Sequence, residues 1–237
     1  MSLSTTHLTG FGAFDPGPPD VEQGVTDRTT TNLIQDSAAF PTTTGNGRGV
    51  IVCLGIKGGK RVSSITDNFS NTYTRAGFAV GDSDAVVEIW YSQNITGGAS
   101  HTLTVNYDAA AYAVWGALEV SRINKQGFLD SGSISTFTRP ATGGSSLISV
   151  TSGVPLAKNQ LFVAMVAVSG GGAVAGIVTP TGFTKITQFN DYTVGAAGNG
   201  ARRIYAQKAA LTATWNMSLI TAPAAAMIAS FRAQDAA

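Results

Sequence analysis

Val50-Ile-Val-Cys-Leu-Gly-Ile-Lys-Gly-Gly59 is the stretch that decides how this chain is read. It is a short apolar run, rich in β-branched residues and stopped by paired glycines. Such a run reads as a strand buried on both faces, because it is too short and too glycine-bounded for a helix. The pattern recurs at Leu161-Phe-Val-Ala-Met-Val-Ala-Val-Ser-Gly-Gly-Gly172. The segments after each run also correspond. Thr179-Pro-Thr-Gly-Phe-Thr-Lys-Ile-Thr187 takes the place of Thr66-Asp-Asn-Phe-Ser-Asn-Thr-Tyr-Thr74, and Arg202-Arg-Ile-Tyr-Ala-Gln207 that of Val87-Glu-Ile-Trp-Tyr-Ser92. Leu211-Thr-Ala-Thr-Trp-Asn-Met217 matches His101–Tyr107, in which Leu103, Val105 and Tyr107 alternate onto one face. The stretch 224–232 matches 112–122, and no segment reads as helix. The expectation is an all-β, two-sheet sandwich over 48–237, built from similar halves at about 48–123 and 159–232. The Ser/Thr/Gly-rich stretch 124–158 joins them, and each half buries one apolar face against the other.

Residues 1–47 differ from this. Asp15-Pro-Gly-Pro-Pro-Asp20 enforces an extended path, since each proline fixes φ and biases the residue before it. Around it apolar residues stand singly: Leu8, Phe11, Phe14, Val21 and Val25. That spacing predicts an extended N-terminal arm that plugs these five side chains into a partner surface. The competing reading is an arm folded back on its own domain, with an edge strand or turn near Ser37–Phe40.

Composition narrows the function. Hydrophobic residues make up 43% and charged residues 12%, about half the usual charged share, and the net charge is +1. Nothing here marks a nucleic-acid or membrane-surface partner, and no apolar run is long enough to insert into a membrane. The first residues carry no basic-then-apolar leader, so no secretory signal is expected. The single cysteine, Cys53, lies inside a buried strand and reads as a core residue without a disulfide framework.

Catalysis needs a base, a nucleophile or a metal held by neighbours. The two histidines, His7 and His101, lack metal-ligand spacing, and no catalytic, cofactor or metal site is expected. Asp82 and Asp84 read as a solvated loop, with Glu88 on the outer face of the next strand. Asp67, Asn68 and Asn71 read as turn formers. Gly170–Gly172 and Gly195–Gly200 are glycine-rich but lack the Lys-Ser/Thr of a phosphate loop. Trp90, Trp115 and Trp215 belong in the core. Tyr91, Asn94 and Tyr192, with the Gly195–Gly200 loop, are the candidates for contact with a glycan.

Several segments fall in a recognisable order. They are Val62-Ser-Ser-Ile-Thr-Asp-Asn-Phe-Ser-Asn-Thr-Tyr-Thr74, Glu88-Ile-Trp-Tyr-Ser-Gln-Asn-Ile-Thr-Gly-Gly-Ala99, Ala117-Leu-Glu-Val-Ser-Arg-Ile123, Phe128-Leu-Asp130 and Asn159-Gln-Leu-Phe-Val-Ala164. Together they resemble a jelly-roll-like β-sandwich module of bacterial extracellular proteins and phage structural proteins. The chain departs from that pattern at Ser70 (glycine in the family), Gln93 (lysine) and Val120-Ser121-Arg122 (Tyr-Ser-Gly). The resemblance spans 48–232 and brings no catalytic residue with it. It implies a jelly-roll-like fold and a non-enzymatic virion protein made in the bacterial cytoplasm, such as a capsid-decoration, fibre or tail-associated component. Its partners would be capsid or tail proteins and copies of itself, a trimer being one arrangement. The alternative is a carbohydrate-binding module, free or displayed on a virion, that takes a cell-surface glycan.

Overall fold

The structure, a computed structural model, describes residues 17–28, 32–82, 84–139, 144–169, 176–191 and 196–234. The first strands are β1 (Asp20–Arg28), β2 (Leu33–Ala39), β3 (Gly49–Lys57), β4 (Val62–Asp67), β5 (Thr74–Gly81), β6 (Ala85–Ser92) and β7 (Thr102–Ser121). Then come β8 (Leu129–Arg139), β9 (Gly144–Thr151), β10 (Gln160–Ser169), β11 (Thr184–Asp191), β12 (Ala196–Tyr205), β13 (Thr212–Thr221) and β14 (Ala224–Phe231). The two apolar runs that open the sequence reading are β3 and β10, and each is the central strand of its sheet. One sheet runs β1-β7-β3-β6-β5 and the other β8-β14-β10-β12-β11, antiparallel throughout.

The two orders are the same once β7 is seen to do two jobs. Its first half pairs with β2 and β4, and its second half with β1 and β3. In the second half of the chain that strand is divided. β13 pairs with β9, while β14 pairs with β10 and β8. A single bridge from Val178 to Asn216 stands where β4 meets β7. Corresponding strands open at Leu33 and Gly144, Gly49 and Gln160, Ala85 and Ala196, each pair 111 positions apart.

This moves the boundaries expected from sequence. The repeat begins before residue 48, because β1 and β2 lie inside the span read as an arm. The joining segment is likewise part of the second unit, because it contributes β8 and β9. The described part of the arm is folded onto its own domain. Its alternation was the available signal: Val21, Gln23, Val25 and Asp27 are half-buried between exposed neighbours, as on an edge strand. The partner, β7, lies far away in sequence, so nothing local identifies it.

The sandwich is layered more deeply than two sheets. The large sheets face each other through Ile51, Val87, Ile89 and Leu118 on one side and Leu161, Val163, Met165 and Met227 on the other. Their outer faces are covered too. Val52, Leu54 and Trp115 pack under Ile65, Leu103 and Val105, and Phe162, Val166 and Ile228 pack under Ile148, Val150 and Trp215. Hence β3 and β10 lack polar alternation: successive side chains enter different cores. The three tryptophans are buried as expected, and each indole N–H is satisfied. Trp90 donates to Glu88 at 2.7 Å, Trp115 to Asp36 at 3.0 Å and Trp215 to Asn199 at 3.0 Å. Cys53 sits in the central layer, where burial pushes its thiol up to about 12. The stretch 195–200, expected as a glycine-rich loop, enters β12 at Ala196. Gly200 faces Cys53 so closely that a Cβ there would lie 2.8 Å from its Sγ.

Candidate functional site

The densest polar constellation joins three loops at one end of the first unit. Asp67 ends β4 and holds the turn after it, its Oδ1 accepting from the backbone N–H groups of Phe69 and Asn71, both at 3.0 Å. Its Oδ2 accepts from Asn71 Nδ2, the Tyr73 hydroxyl and His101 Nε2, each at 2.8 Å. A carboxylate only accepts, so Nε2 carries the ring proton, and Nδ1 shares a hydrogen bond of 2.8 Å with the Thr44 hydroxyl. Phe40 and Phe69 close on the imidazole edge-to-face, with ring centroids 5.4 and 5.2 Å away.

Hydroxyl, imidazole and carboxylate thus stand in the order of a nucleophilic relay. Access is what separates it from one. His101 is wholly buried and Thr44 is 3% exposed. Thr44 Oγ1 also accepts from Gly98 N at 3.0 Å, with the Gly98 carbonyl 3.3 Å away as a second acceptor. No reacting carbonyl can reach it without the 94–100 loop moving. In the observed geometry the row ties the segment before β3, the turn after β4 and the loop before β7 to one another. The expectation for Asp67 and Asn71 as turn formers holds, and their partnership with His101 was not legible in the sequence.

Glu88 departs from its expected outward position. Both faces of β6 are covered, so its carboxylate is wholly buried. Arg61 Nε lies 2.6 Å from Oε1 and Arg75 3.6 Å from Oε2, and the Trp90 indole and Val62 N also donate to it. The Arg61 guanidinium lies 3.6 Å from the centroid of the half-exposed Phe78 ring. The neighbouring acid, Asp84, accepts from Gly58 N at 3.0 Å and from the Ser169 hydroxyl at 2.6 Å, which links the two units.

Two further buried carboxylates play matching parts in the two units. Glu119 on β7 accepts from Gly45 N at 2.6 Å, Arg48 at 3.1 Å and Gln23 Nε2 at 2.6 Å. Asp130 on β8 accepts from Leu156 N at 2.6 Å and Gln160 Nε2 at 2.9 Å. Each clamps the loop that leads into a central strand. The acid sits on the last strand of one unit and on the first strand of the other, so sequence alignment of the halves does not reveal it.

Of the residues expected to meet a partner, Leu8, Phe11 and Phe14 lie outside the described residues. Val21 packs against the central core and Val25 against the outer one, so these two are seated on the chain's own domain. Of the glycan candidates, Tyr192 is outside the described residues. Asn94 is exposed, with φ 56°, and donates to the Lys125 carbonyl at 2.8 Å. Tyr91 is half-buried, edge-on to Phe128 and Phe231. It lines a shallow groove of about 230 Å3 with Thr72, Thr74, Ser92 and Gln93. Among the described residues no three His, Cys, Asp or Glu side chains are grouped to hold a metal ion, and no helix is long and apolar enough to cross a membrane. No protein-family model matches the chain, and no curated protein matches it either.

Proposed function

We propose that the protein is a non-enzymatic structural component of a bacteriophage particle, a capsid-decoration, fibre or tail-associated sandwich attached partly through its first sixteen residues. The observation that carries this reading is the use made of buried acids. Asp67, Glu88, Glu119 and Asp130 each hold a turn, an arginine or the loop before a central strand, and the Thr44–His101–Asp67 row is closed to substrate. Such a molecule invests its polar interior in rigidity. The strand order supports a jelly-roll reading of the first unit, because β1-β7-β3-β6 packs over β2-β7-β4, with β7 shared between them. The low charge fits surfaces that are covered by neighbours. The test is sedimentation with purified particles: the intact chain is expected to pellet with them, and a chain lacking residues 1–16 to stay in the supernatant. Retention of the shortened chain would remove the arm from the attachment.

The groove beside Tyr91 favours a second reading, carbohydrate binding, because an aromatic side chain set among Thr72, Thr74, Ser92 and Gln93 suits a sugar. A glycan array read with the intact protein and with Tyr91→Leu, which keeps the packing on Phe128, tests it. Signal that is lost in the variant supports this reading.

A further inference from the structure

Among the described residues the sandwich is open along one side. There β1 and β11 are edge strands of facing sheets, paired only to β7 and β12 respectively. Between them runs a groove of about 290 Å3 beside Val21–Thr26, continued by one of about 230 Å3 beside Thr26–Arg28. Its lining is mixed: Val114, Leu118 and Ile186 of the central core lie beside the charged Glu22, Lys185 and Arg202. Unpaired strand edges are where an extended segment adds to a sheet.

We propose that this groove receives residues 1–16 of a neighbouring copy, inserted along β1. The inference rests on the virion reading, in which copies stand side by side. The segment joins the described chain at Gly17, just before the first groove residue, Val21. There a φ of 72° at Gly17 and a bend at Pro18 turn the chain off the line of β1 at the groove's mouth. Asp15 is the one charged side chain between Met1 and Pro16, so the segment brings little charge of its own to be desolvated at the strand edge. Leu8, Phe11 and Phe14 supply the apolar area. Sixteen extended residues reach about 50 Å, and β1 is about 30 Å long at its strand rise. Pro16, Pro18 and Pro19 restrict the hinge and remove its donors, which favours exchange between copies over a tight return to the same groove.

The experiment pairs the chain lacking residues 1–16 with a fluorescent peptide of residues 1–16. Saturable binding is expected, weakened at least tenfold by Thr26→Arg, which blocks both parts of the groove, and unchanged by Thr72→Arg on the distant Tyr91 groove. Melting curves establish that both variants fold. The intact chain should sediment as an oligomer that the shortened chain does not form. Absent binding, binding indifferent to Thr26→Arg, or a monomeric intact chain whose β1 amides are protected from hydrogen exchange would each overturn the proposal. If the shortened chain leaves particles while the peptide fails to bind, the groove assignment is overturned and the virion reading stands.

Discussion

Asp67 illustrates how a buried acid is kept charged. Burial alone would raise its pKa, but hydrogen bonds from Asn71, Tyr73 and His101 outweigh it and hold the carboxyl below its usual range. The same charge, together with burial, pushes the Tyr73 phenol upward. Because the folded pKa lies below the unfolded one, the unfolded chain binds more protons as the pH falls. The stabilisation is therefore complete above the ordinary carboxylate range near pH 4 and is lost as pH drops through the lower folded value. Asp67→Asn should cost about 2–4 kcal/mol at neutral pH, as expected for charged hydrogen bonds left unmade. The gap from the parent should narrow steadily below about pH 4. Melting temperatures taken from pH 7 down to pH 2 check this, and a gap that stays constant would refute the linkage. The next turn residue offers a second test. Ser70 has φ 60°, in the left-handed region that suits glycine, and it stands where the resembled motif has glycine. Ser70→Gly should leave stability unchanged or raise it by up to about 1 kcal/mol, while Ser70→Val should lower it by about 1–2 kcal/mol. Urea midpoints of the three proteins read the difference.

Strands differ in how plainly they declare themselves. β3 and β10 were legible because continuous apolar residues need cover on both faces, and β7 was legible at Leu103–Tyr107 because one of its faces is wet there. β1 was not, because Asp20, Glu22, Gln23 and Thr26 carry none of the apolar weight by which a strand is recognised. Its pairing with Leu118 and Val120 exists only after β7 has come home. β12 was hidden for the opposite reason. Its glycines read as a loop, yet they let two sheets approach closely. The same logic sets β5 against β14 and separates two glycines. A Cβ on Gly81 would collide with the Ala224 backbone, whereas one on Gly77 would meet the mobile end of Met227. Gly81→Ala should therefore cost about 2–3 kcal/mol or more and Gly77→Ala about 1 kcal/mol or less, within the range of overpacked cores. Equal costs in thermal unfolding would mean the strand can slide aside.

Duplication organises the whole chain, and it was visible in the sequence as order far more than as identity. What the sequence concealed is where each unit starts, and that its polar clamps are supplied from different strands: Glu119 in one unit, Asp130 in the other. Each unit has an outer core of its own, yet the faces carrying Ile51, Val87 and Ile89, and Leu161, Val163 and Met165, are buried only against each other. The units also exchange contacts at Asp84–Ser169 and at the Ile123–Ala233 bridge. Such a pair should fold as one cooperative body, since a lone unit would leave a sheet-wide apolar face in water. Residues 17–123 expressed alone should self-associate or precipitate. Co-expressed with 124–237, they should be recovered as a soluble 1:1 complex with a single melting transition, because each of the two facing sheets stays whole within one fragment and the cut leaves Ile123 and Phe128 of the central core free to pack across it. A soluble, monomeric 17–123 with its own sharp melt would show instead that the outer core suffices, and that the central layer is an interface between two independent domains.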